Sequence, residues 1–131
     1  MDEPLYNAVI IGGGPGGAKA AEVLGKLGKR VALVNHELGG ECLNWGCIPT
    51  KSLLWSAELF EKIGKSKING VDTENVTLNF EQMMKRKSQV VSMLGKGVEM
   101  QLKTSEVELI QGMGEIVSEN KVKIVSEDKS S

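Results

Sequence analysis

The chain has 131 residues, enough for one modest domain, and at 40% hydrophobic and 25% charged it has the composition of an ordinary globular protein. A formal net charge of −1 gives no basis for nucleic acid or an anionic membrane as partner, and no apolar run approaches the length needed to span a bilayer. The start, MDEPLYNAVIIGGG, places two acids before its apolar stretch and has no basic n-region. The cytoplasm is therefore the expected compartment, and a purely structural disulfide is not expected there.

Residues 5–11 (LYNAVII) form a short apolar run ending in glycines, predicted to be a buried strand. The glycine stretch at 12–17 follows. After it, Ala20, Ala21, Leu24 and Leu27 fall near helical spacing, and Gly28 suits a helix stop with Lys26, Lys29 and Arg30 near the negative end of its dipole. Residues 30–34 (RVALV) read as a second buried strand. This strand–glycine loop–helix–strand order is the start of a doubly wound α/β sheet.

Farther along, residues 51–65 predict an amphipathic helix with Leu53, Leu54, Ala57, Phe60 and Ile63 on one side. Residues 66–77 read as a loop. Asn79 suits an N-cap with Gln82 three residues on, and a helical apolar stripe runs from Phe80 to about Leu102, weakened by Gly95 and Gly97. The methionines on this stripe read as core filler, and Lys85-Arg86-Lys87 as its solvated side. Residues 107–111 predict a strand, Gly112-Met113-Gly114 a bend, and residues 115–117 with 121–125 a small antiparallel hairpin. The polar end, residues 126–131, is expected to fray. There is no internal repeat.

Gly12-x-Gly14-x-x-Gly17 lies between a predicted strand and a predicted helix, the context a dinucleotide-binding loop needs. Gly12 allows the tight turn, Gly14 the approach of a pyrophosphate, and Gly17 close helix–strand packing, while the helix N-terminus offers free N–H groups. A glycine-rich turn with no ligand and a plain NAD(P) domain are the rival readings at this point. The ribose-binding acid belongs roughly 20 residues on, at the end of the second strand. Asn35 stands there, neutral and without the charge-assisted bond of a carboxylate. Glu37 substitutes if the loop turns inward. His36 is given no role.

Cys42 and Cys47 are the only cysteines, both within LGGECLNWGCIPTKSL. With no second cysteine pair and one histidine, a closed zinc site has too few ligands, so no metal is expected. Buried bystanders, a structural bridge and a redox pair are the other readings. A redox pair requires an irregular segment, because five positions in a regular helix lie at the limit of disulfide reach. Gly46 and Pro49 supply irregularity, and the regular helix is expected to begin near Pro49. A thiol at such an N-terminus favours its thiolate, and Lys51, one turn past Cys47, faces the same side.

GGECLNWGCIPTK resembles the redox-disulfide signature of the class I pyridine nucleotide–disulfide oxidoreductases, which include dihydrolipoyl dehydrogenase, glutathione reductase and mercuric reductase. The glycine loop, its distance from the cysteines and the Gly112–Gly114 turn also match, so the resemblance covers essentially the whole chain. It implies a Rossmann-like FAD-binding domain segment: a parallel sheet with a small antiparallel β element. It implies FAD as the dinucleotide, with Gly12, Gly14, Pro15, Gly16 and Gly17 at the pyrophosphate. Asn35 takes the ribose position, where the family usually has Glu, and Gly40, Glu41 and Gly114 make further cofactor contacts. Cys47 becomes the thiol nearest the flavin, Cys42 the interchange thiol, and Lys51 a neighbour of the flavin N5. Glu41 stands where Thr or Val is often seen, so its backbone is the expected contact.

The resemblance also implies what lies elsewhere. Family members are several times longer, with an NAD(P)-binding domain and a dimerisation domain carrying a His–Glu pair. Residues 1–131 are thus expected to be the N-terminal part of an FAD-binding domain from a homodimeric enzyme, binding FAD weakly and failing to turn over alone. The expected reaction passes electrons between NAD(P)(H), FAD and the cysteine pair, to or from a dithiol or disulfide such as a lipoyl group. The ECLNWGCIPTK wording fits dihydrolipoyl dehydrogenase. Mercuric or glutathione reductase is the alternative within the family, and a non-catalytic flavin-binding redox sensor the alternative outside it.

Overall fold

In the computed structural model, which describes residues 5–125, the run LYNAVII pairs only over its second half, and β1 is Ala8–Ile11. The glycine stretch leads into α1 (Pro15–Lys26), and β2 (Val31–Asn35) follows. Two helices come next: the five-residue α2 (Gly40–Asn44), then the 18-residue α3 (Cys47–Gly64). A 3-10 turn at Ser66–Asn69 interrupts the expected loop. The long α4 (Phe80–Thr104), β3 (Glu108–Gln111), β4 (Met113–Ser118) and β5 (Lys121–Val125) complete the order.

β2 is the middle of a three-stranded parallel sheet, order β1-β2-β3, with Ile10 opposite Leu33 and Leu33 opposite Leu109. β4 and β5 pair antiparallel. The mixed α/β architecture is the one the sequence predicts. The expectation of a buried first strand needs correction. Val9 and Ile11 are 38% and 43% exposed, because β1 is an edge whose outer face no helix covers. β2, flanked on both sides, carries four consecutive buried residues, the pattern of a central parallel strand.

One face of the sheet packs on α1 and α4 through Ala21, Val31, Leu33, Leu102 and Val107. Leu33 and Leu102 are fully buried, and each contributes about 1.5–3 kcal/mol of burial free energy. Gly25 marks the tightest helix contact, since a Cβ there would overlap the Ser105 carbonyl oxygen at the end of α4. At the same seam Glu22 is buried, held by Lys26 and by Lys19 at 2.9 Å. These bonds, reinforced by Gln101 of α4, hold its carboxyl down at about 2 against burial. On the opposite face the β4–β5 hairpin covers Ala32 and Val34, leaving a cavity of about 730 Å³.

Asn79 caps α4, its side chain accepting the Gln82 N–H at 2.9 Å, as predicted. Gly95 and Gly97 do not break the helix: Val98 and Leu102 beyond them anchor its last turns in the core. α3 is different. None of its residues is buried, and of the predicted stripe only Leu53 and Ile63 are half-buried. The opening acids within residues 1–4 and the expected frayed tail, residues 126–131, lie outside the described residues.

Candidate functional site

The end of β1, the end of β2 and the start of β4 meet around a cleft of about 330 Å³. It forms there because the three parallel strands end side by side and their connections splay apart, the usual ligand position on an open α/β sheet. Gly12 leaves β1 with φ +100°, a turn that favours glycine, and its N–H donates to the Val34 carbonyl at 2.8 Å. A Cβ on Gly17 would overlap the Gly12 carbonyl oxygen, so this glycine lets α1 sit against the strand end.

Gly14, the N-cap of α1, has ordinary extended backbone (φ −68°, ψ −178°), and a Cβ there would meet nothing within 4 Å. Neither the fold nor the packing needs glycine at this position. What a bare backbone provides is room for a ligand to approach the helix end, whose first turn carries no acid. The chain therefore has the cradle that a pyrophosphate requires.

The segment after β2 folds back on this loop. The Gly39 N–H donates to the Gly13 carbonyl at 2.8 Å, and Asn44 Nδ2 donates to the Leu38 carbonyl at 3.1 Å. Gly40 opens α2, which carries Cys42. The chain then breaks at Trp45 and Gly46, with both N–H groups donating to the Glu41 carbonyl. This break brings the cysteine Cα atoms to 4.6 Å, and the Cys42–Cys47 disulfide is formed. α3 begins at Cys47 itself, two residues before Pro49 and earlier than predicted, so the cysteine occupies the first helical position. Cys42 is half-buried and Cys47 exposed.

The cleft gathers Gly12, Gly14, Asn35, Gly40, Glu41 and Gly114 from the predicted site residues. Pro15, Gly16 and Gly17 belong to the first turn of α1 and are not among the lining residues. Cys42 and Cys47 are not among the lining residues, but Glu41, which precedes Cys42, and Trp45, two before Cys47, are. Lys51 lies one turn along α3 from Cys47 and is exposed. Sequence reasoning missed Gly13 and Trp45, took Gly112 and Met113 only as part of the Gly112–Gly114 turn, and gave His36 no place, yet all five line the cleft. Gly13 fell at a variable position of the fingerprint, although a Cβ there would lie 2.7 Å from the Asn35 amide. Among the described residues no group of three or more His, Cys, Asp or Glu could hold a metal ion.

Residues 6–130 match the pyridine nucleotide-disulphide oxidoreductase family. The chain belongs to that family. It is 44% identical over 128 residues to dihydrolipoyl dehydrogenase 3 of Pseudomonas putida, covering 95% of this chain and 28% of that protein. It is 44% identical over 124 residues to dihydrolipoyl dehydrogenase of Acholeplasma laidlawii, covering 93% of this chain and 37% of the relative. Among solved structures, the Cu(II) complex of the HOCl-induced flavoprotein disulfide reductase RclA from Escherichia coli superposes with a TM-score of 0.77 at 29% identity, over 95% of this chain and 25% of that one. The chain thus spans 25–37% of the length of these proteins. Among the described residues, no helix is long and apolar enough to cross a membrane.

Proposed function

We propose that residues 1–131 are the N-terminal part of an FAD-binding domain, and that Cys42 and Cys47 are the redox pair of a disulfide oxidoreductase. The observation that carries this reading is the disulfide closed across a helix break whose residues Glu41 and Trp45 line the dinucleotide cleft. Gly12, Gly14, Pro15, Gly16 and Gly17 hold the pyrophosphate, Asn35 stands at the ribose end, and Gly40, Glu41 and Gly114 border the path toward the cysteines. When bound, FAD supplies the two-electron relay between the cysteine pair and NAD(P)(H), whose site lies in the longer protein. Lys51 would stand near its reactive ring. The longer protein is a homodimer in this reading.

The sulfur chemistry follows from the helix break. A substrate thiolate attacks Cys42 Sγ, the Cys42–Cys47 bond breaks, and its electron pair leaves with Cys47. Cys47 is the better leaving group because it opens α3, where the helix dipole and free N–H groups stabilise its thiolate. The second substrate thiol gives up its proton and attacks the mixed disulfide, releasing Cys42. The substrate is now a disulfide, and the pair has gained two electrons. The opposite direction reduces a disulfide substrate by the same steps in reverse. Dihydrolipoamide is the proposed dithiol, supported by the dihydrolipoyl dehydrogenases among the relatives.

The test is an absorbance spectrum of the protein, expressed from its gene, with FAD before and after one equivalent of dithiol. A bound-flavin spectrum that gains a long-wavelength thiolate band, lost in Cys47→Ser and kept in Cys42→Ser, supports the reading. Bound flavin with no such band, or no flavin bound, rejects it.

A further inference from the structure

We infer that Glu37, not Asn35, supplies the acceptor for the ribose hydroxyls of the bound dinucleotide. The inference rests on the cleft being a dinucleotide site. In such a site an acid at the end of the second strand accepts hydrogen bonds from the ribose diol, and a carboxylate suits two adjacent hydroxyls better than an amide because it offers two charged acceptors. Asn35 holds the strand-end position and lines the same cleft, but its side chain is a short neutral amide packed beside the glycine loop. Its Cγ and Oδ1 lie against Gly13, 2.7 Å from where a Cβ on that glycine would stand. The amide therefore closes the gap between β2 and the glycine loop.

The next turn presents the carboxylate. Its backbone is fixed on both sides: before it, the Gly112 N–H donates to the Asn35 carbonyl at 3.1 Å, and after it the Gly39 N–H is bonded to the glycine loop at Gly13 and the Gly40 N–H donates to the Glu37 carbonyl at 3.3 Å. This anchoring brings the 36–39 turn inward and makes Glu37 part of the cleft lining. Its side chain is exposed and forms no ion pair or side-chain hydrogen bond among the described residues, so the carboxylate is available to a ligand. Glu41 is the other carboxylate on the cleft, but it belongs to α2, next to Cys42 and away from the strand end. The division of labour has a simple physical sense. A short amide seals the loop, and a longer charged side chain two residues on reaches the sugar.

The experiment titrates the flavin-stripped protein, expressed from its gene, with ADP, the half of FAD that carries this ribose, and with 2′,3′-dideoxy-ADP. Losing a charge-assisted bond to the diol predicts that Glu37→Gln weakens ADP about tenfold. Asn35→Ala is expected to weaken it less. With the dideoxy analogue, wild type and Glu37→Gln should bind alike, confining the loss to the hydroxyls. Unchanged or tighter ADP binding by Glu37→Gln, a loss that persists with the dideoxy analogue, or a larger loss in Asn35→Ala overturns the inference. If wild type binds FAD and ADP while Glu37→Gln is unaffected, only this inference falls. If wild type binds neither, the dinucleotide reading falls and takes the inference with it.

Discussion

Gly40, the first residue of α2, lies so close to Gly14, the N-cap of α1, that a Cβ on Gly40 would stand 2.9 Å from the Gly14 Cα. The segment carrying the disulfide is thus seated directly on the glycine loop, with two backbones in contact and no side chain between them. Cleft and disulfide are parts of one rigid arrangement for this reason. Gly40 also has φ +56°. Gly40→Ala meets both the left-handed backbone cost and the contact, and is expected to destabilise the fold by roughly 1–3 kcal/mol. Urea unfolding of the variant checks this, and an unchanged midpoint would refute the close seating.

Two neighbouring glycines should behave differently. Gly17→Ala drives a methyl into the Gly12 carbonyl, so it is expected to lower stability and to lose FAD binding together. Gly14→Ala places its methyl in open space on ordinary backbone, so the fold should be unaffected. FAD should nevertheless bind more weakly, because the methyl occupies the approach to the helix end. Paired thermal denaturation and flavin titration separate the cases. Equal FAD affinity in wild type and Gly14→Ala would mean that no phosphate approaches there.

The fold was largely legible because its signals are local and repeated. The buried run 31–34, the helical spacing of Ala21 and Leu24, and the Asn79 cap each carry their own physics, and each element stands in the structure. What escaped depended on contacts distant in sequence. α2 is a five-residue helix with glycine at its start and no periodicity to reveal it, held where Gly39 is bonded to the glycine loop and Asn44 bonds back to Leu38. β1 shortened because edge position, not composition, decides how much of an apolar run pairs. Gly95 and Gly97 lower helix propensity by about 1 kcal/mol each, but core anchoring by Leu102 outweighs that local cost. In the site, the glycine fingerprint stood out by its spacing between a strand and a helix, whereas the pairing of Cys42 with Cys47 came from the resemblance of GGECLNWGCIPTK to a family signature. The lining by Trp45 and the turn that carries Glu37 into the cleft had no such signal, since both depend on how the chain folds back after β2.

The two thiols of the reduced protein should differ in reactivity. Cys47 stands at the first position of an 18-residue helix with no acid in its first turn, whereas Cys42 lies within the short α2 beside Glu41. The helix end stabilises a thiolate at Cys47, and the Glu41 carboxylate opposes one at Cys42. At neutral pH, Cys42→Ser should therefore be alkylated by iodoacetamide several-fold faster than Cys47→Ser. Rates should be measured on flavin-free protein, so that a bound cofactor does not shield Cys47. Equal rates, or faster alkylation at Cys42, would remove the physical basis for Cys47 as the leaving group.

Glu22 gives the fold a defined acid sensitivity. Lys26 and Lys19 hold its carboxyl at about 2 in the folded chain, against 4.5 for an unperturbed glutamate. As pH falls, the unfolded chain takes up this proton first, so the stabilisation is complete above pH 4.5 and is lost on the way down to about 2. Glu22→Gln removes the charge but keeps the size. The variant is expected to be less stable than wild type at neutral pH, with the difference shrinking steadily as pH falls from 4.5 through about 2. Urea unfolding of both proteins across that range measures the gap directly. A gap that stays constant with pH would show that Glu22 acts through shape at the α1–α4 seam and not through its charge.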